Sequence, residues 1–80
     1  MSLEDTSGIS KVGKMLVPMQ EYVNTYNNGY ERIDRGKYKI IRHYMDTSSF
    51  FVPHYFEIEY YGRKMIIKDD YAIDVLDTLF

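Results

Sequence analysis

The dipeptide Tyr61-Gly62 constrains this chain more than any other feature, because it lies between two apolar-rich runs and reads as a hairpin turn. Pairing outward sets Tyr60 against Arg63, Glu59 against Lys64, Ile58 against Met65, Glu57 against Ile66 and Phe56 against Ile67. That register gathers Phe56, Ile58, Met65 and Ile67 on one face and joins the opposite charges Glu59 and Lys64 on the other. A slip of one residue would lose both groupings. The chain must therefore contain an antiparallel sheet with one apolar face that something else covers.

The remaining patterns predict helices as the cover. Val12, Met15 or Leu16, Met19, Val23 and Tyr26 recur at helical spacing, interrupted by Gly13 and Pro18. Placing Pro18 in a first helical turn gives a helix over about residues 18–28, closed by Gly29 as a left-handed cap. Tyr38, Ile40, Ile41, Tyr44 and Met45 read as a strand ended by a turn at 46–49. Residues 50–60 read as the middle strand, with Pro53 at its start, at a bulge or on an edge. Asp69 and Asp70 then resemble caps of an amphipathic C-terminal helix carrying Tyr71, Ile73, Val75, Leu76, Leu79 and Phe80, with Phe80 docked. The expected fold is α+β: a helix, a three-stranded antiparallel meander and a C-terminal helix, both helices on the Phe56 face. Residues 1–10 are polar and small and read as a flexible tail, with 11–80 as a single small domain.

Composition narrows the function classes. Eighty residues allow one domain, and the absence of cysteine removes disulfides, thiolate nucleophiles and cysteine-based zinc sites together. No apolar run approaches a membrane span and the start of the chain lacks the pattern of a signal peptide, so a reducing, cytoplasmic setting is expected. A net charge of -2 provides no global attraction to nucleic acid or membrane; any such binding needs a local patch. Nine tyrosines beside a single alanine, Ala72, suggest an AT-rich genome, such as a low-GC bacterium, its phages or another mobile element.

No glycine-rich phosphate loop, nucleophile elbow or His-Glu-x-x-His motif occurs, and the sequence nominates no catalytic residue, cofactor or metal set. His43 and His54 are the only histidines, and His54 and Glu57 should point to opposite faces of a strand. A compact toxin-like nuclease would have to use His43, Arg42, Glu57 and Lys64, which no spacing selects. The one charge anomaly is Arg32, Arg35, Lys37, Lys39 and Arg42, followed by His43, interrupted by Asp34 alone and interleaved with Tyr30, Tyr38 and Tyr44. It reads first as a solvated strand edge protected by charge, and alternatively as a single-stranded nucleic-acid interface. The tyrosine excess favours contact surfaces. Tyr22, Tyr26, Tyr55 and Tyr61 are the candidate partner-binding set, for a homodimer or for another protein. By elimination, the leading expectation is a non-enzymatic regulatory protein, such as an inhibitor encoded by a mobile element, that occludes a surface of another macromolecule.

Overall fold

The computed structural model describes residues 3–5 and 11–77. Among them the chain forms nine strands and no helix: β1 (Leu3–Asp5), β2 (Met15–Pro18), β3 (Tyr22–Thr25), β4 (Gly29–Arg32), β5 (Tyr38–Lys39), β6 (Arg42–Asp46), β7 (His54–Tyr60), β8 (Arg63–Lys68) and β9 (Ile73–Leu76). They make a six-stranded sheet in the order β1-β6-β7-β8-β3-β4 and a three-stranded sheet in the order β5-β2-β9. Every pairing is antiparallel. The fold is all-β, which corrects the expected α+β architecture.

The hairpin keeps its expected register, from Tyr60 opposite Arg63 to Phe56 opposite Ile67. Tyr61 and Gly62 take φ values of 49° and 82°, the two positive angles that a type I′ turn requires. Phe56, Ile58, Met65 and Ile67 are buried together with Val23, Ile33 and Ile40, and with Leu16, Ala72 and Ile73 from the second sheet and its approach. The apolar face is thus covered by a sheet. Pro53 immediately precedes β7, where its missing N–H disturbs no ladder and its carbonyl accepts the Asp46 N–H.

Both expected helices are strands, and local turns set where they begin and end. In place of a helix over 18–28, Pro18 closes β2 opposite Ile73, and β3 alternates, with Val23 and Thr25 buried between Tyr22 and Asn24. Asn27 and Asn28 then form a turn: Thr25 Oγ1 accepts the Asn28 N–H and donates to the Gly29 carbonyl. The left-handed φ of Gly29 serves a hairpin and not a helix cap. At the C-terminal side, Asp70 Oδ1 accepts the Ala72 N–H in an Asx turn, and Ile73–Leu76 pairs with β2. Thr78, Leu79 and Phe80 lie outside the described residues, as do Met1, Ser2 and 6–10. β1 lies within the segment read as a tail and pairs with β6.

The strand expected over 38–45 is two strands in different sheets. The chain crosses between sheets at Ile40, which is fully buried and bonded through its N–H to the Lys14 carbonyl, while the Ile41 N–H bonds to Glu57. Burying Ile40 between the layers helps hold the crossing in place.

Candidate functional site

Among the described residues two non-glycine residues hold left-handed backbone, Val52 at φ 46° and Tyr61 at φ 49°. Such angles are costly for a β-branched or bulky side chain and persist where the surroundings impose them. Val52 adjoins the exposed rings of Phe50 and Phe51, Tyr61 is itself exposed beside the half-buried Tyr60 and Tyr38, and the two lie at opposite ends of β7.

At the first end, the loop between β6 and β7 is braced from within. Asp46 Oδ1 accepts from the Ser48 N–H and hydroxyl, the Asp46 N–H bonds to the Pro53 carbonyl, and the Val52 N–H bonds to the Ser49 carbonyl. Asp46 is itself buried, so the base of the loop is anchored in the sheet. This frame projects Phe50 and Phe51 outward with 92% and 87% of their surface exposed, their rings edge to face at 5.3 Å. Sequence reasoning placed Phe50 and Phe51 in the middle strand. The signal that could have freed them was Pro53, which delays the strand start until His54.

At the second end, Asp34 gathers three tyrosines. Its N–H donates to the Tyr60 hydroxyl, its carbonyl accepts from Tyr38, and its Oδ2 accepts from Tyr61 at 2.8 Å. The Tyr61 phenol is raised above its ordinary pKa, first by that bond to the carboxylate. The Tyr60 and Tyr61 rings meet at 4.6 Å, and those of Tyr38 and Tyr60 at 5.6 Å. The basic residues Arg32, Arg35, Lys37 and Lys39 flank Asp34, all exposed and with no ion pair among the described residues.

Arg42 and Tyr44 leave this group. They lie on the outer face of the six-stranded sheet, where Arg42 pairs with Asp5 and the Tyr44 hydroxyl donates to Glu57 Oε1 at 2.8 Å. Tyr44 is raised in pKa by burial and then by that bond. The tyrosines expected to form one contact set are likewise divided. Tyr55 is only 9% exposed and packs edge on against Tyr26 at 5.1 Å, whereas Tyr22 and Tyr61 are exposed. Tyr30 is exposed on β4.

Glu57 is buried, and its Oε2 has no hydrogen-bond donor; the Lys64 ammonium stands 4.0 Å away. It borders a cavity of about 180 Å³ shared with Glu31, Lys64, Asn28 and Thr25. The residues a nuclease would need are split. Arg42 and Glu57 are register partners on the outer face, while His43 is the partner of Phe56 and packs against its ring at 4.8 Å on the core side.

His43 and His54 do meet, with Nε2 and Nδ1 2.6 Å apart, on the core-facing side opposite Glu57. Because its Nδ1 accepts the Lys11 N–H, His43 carries its proton on Nε2 and directs it at His54. No group of three metal-ligating side chains occurs among the described residues. Burial, and then the neighbouring His54, lowers the His43 pKa from its ordinary 6.5, with Lys11 adding to the effect and Asp69 and Asp5 opposing it. The unfolded chain therefore binds the proton more readily. Stability from this group is fully present above about pH 6.5 and falls as the pH drops towards the folded-state pKa. Thermal melts between pH 5 and 8 should show this loss in the wild type and a flatter profile in His43→Gln.

Comparison with protein families, with characterised proteins and with solved structures returns no match. Function must be read from the sites themselves. No helix among the described residues is long and apolar enough to cross a membrane.

Proposed function

We propose that this protein is a non-enzymatic binding module that docks on another protein by inserting Phe50 and Phe51 into an apolar pocket and occluding the surface around it. The observation that supports this reading is the braced loop: two phenylalanines stand almost wholly in water on a frame that includes a β-branched residue at positive φ. Exposed rings on a rigid frame lose little freedom on binding, which is what makes aromatic anchors effective. Between Arg42 and Arg63 the chain has no lysine or arginine, so the loop lacks the cations that would draw it to an anionic lipid surface. A cysteine-free chain suits a cytoplasmic partner.

A photo-crosslinking amino acid at position 51, used in the native host, identifies the partner, which is then purified for titration. Each buried phenylalanine contributes about 1.5–3 kcal/mol, so Phe50→Ser with Phe51→Ser should weaken binding at least about a hundredfold. Its melting temperature should stay near the wild-type value, since neither ring packs on the core. Undiminished affinity of the double variant overturns the reading. So does sedimentation with phosphatidylserine vesicles, or crosslinking solely to a second copy of the chain, which would favour a homodimer.

A further inference from the structure

We infer that the end of the domain built around Asp34 is a binding site for single-stranded polynucleotide, with Tyr61 as a base-stacking platform and Arg32, Arg35 and Lys37 as phosphate contacts. Three observations converge. Tyr61 is 80% exposed, yet its ring is held at both ends, by Tyr60 at 4.6 Å and by the phenol bond to Asp34 at 2.8 Å. A ring held this way presents a fixed π-face to solvent, which every base can stack on.

The position also works against turn stability. The first central residue of a type I′ turn favours asparagine, aspartate or glycine, and here a tyrosine occupies it at φ 49° with most of its surface in water. Backbone strain beside an exposed aromatic ring is accounted for by a task that needs the ring.

The third observation is charge. Arg35 and Lys37 sit on a tight loop closed by the Tyr38 hydroxyl on the Asp34 carbonyl, 2.7 Å away. Arg32 lies two residues before Asp34, and β3 places the exposed Tyr22 directly opposite it. Among the described residues these cations make no ion pair, nor do Lys11 and Lys68, whereas Lys14, Arg42, Arg63 and Lys64 each make one. The Asp34 carboxylate accepts the Tyr61 hydroxyl at Oδ2, while Tyr60 and Tyr38 bond to its backbone. Unpaired cations around an ordered ring match a chain of phosphates and unstacked bases.

Fluorescence anisotropy with labelled dT12 and rU12 oligonucleotides tests the site on the full chain. The expected result is binding whose affinity falls with salt at about 0.7 log units per log unit for each phosphate contacted, giving a slope near about -2 for three contacts. Arg35→Glu with Lys37→Glu should abolish most binding and flatten the slope. Tyr61→Asn is the decisive variant, because asparagine suits the turn and keeps it folded while removing the ring. It should bind at least about fivefold more weakly, whereas Tyr61→Phe should retain most of the affinity. A preference for dT12 or rU12 assigns the ligand to DNA or RNA. The proposal is overturned if neither oligonucleotide binds at 50 mM salt. It is also overturned if a duplex or inorganic polyphosphate competes equally well, or if folded Tyr61→Asn binds as the wild type does.

Discussion

Phe56→Ala is expected to leave the protein largely unfolded at room temperature, and Ile58→Ala to come close to doing so. Both side chains are fully buried between the two sheets, with Phe56 opposite Ile67, Ile58 opposite Met65 and the His43 ring against Phe56. Truncating a buried phenylalanine costs about 3–5 kcal/mol and a buried isoleucine about 2–5 kcal/mol, through lost transfer energy and the cavity left behind. A single core in a chain of this length supplies about 3–5 kcal/mol in total. One large truncation is therefore comparable to the whole stability. Far-ultraviolet circular dichroism with urea titration checks it: cooperative unfolding at the wild-type midpoint in both variants would mean that the sheets are held together by other residues.

Gly62→Val should destabilise the domain by about 2 kcal/mol, for a different reason. At φ 82° the glycine occupies a region that costs a side chain about 1–2 kcal/mol, and more for a β-branched one. Nothing lies within 4 Å of a Cβ placed there, so the penalty is conformational and not a clash. The loss should appear as a lower urea midpoint with an unchanged slope, because the exposed area on unfolding is the same. Gly62→Asn, which tolerates the left-handed region, should recover most of it. Equal stability of the valine and wild-type proteins would remove the turn as a determinant of the β7–β8 register.

The candidate sites were legible to different depths. The basic run from Arg32 to Lys39 is visible as a charge anomaly, but its focus on Asp34 is not, since Tyr60 and Tyr61 reach that residue from 26 and 27 positions away. Arg42 and Tyr44 continue the same run in sequence and leave it in space, because the chain changes sheet at Ile40. Phe50 and Phe51 read as the start of the middle strand. They stand in water because Asp46 and Pro53 close the loop beneath them. Tyr55 shows the converse, a tyrosine expected on an open face that is buried beside Tyr26.

The sequence by itself determined the β7–β8 hairpin, its register and the four residues of its apolar face; it expected the preceding strand to pair with β7 across a turn at 46–49, and that pairing forms across a longer loop, 47–53. These are short-range decisions: a turn residue with positive φ, period-two alternation and charge pairing all agree within a window of a dozen residues. Only the tertiary structure decided what covers that face. The segments containing Leu16 and Ile73 are each four residues long as strands, too short for a period of 3.6 to be told from a period of two. A four-residue strand has little stability alone, and it forms here because a partner completes its hydrogen bonds. β2 receives β5 on one side and β9 on the other, and the Phe56 face receives the sheet they make together. Those partners are remote in sequence, with β2 and β9 separated by most of the chain, so no local propensity could announce them.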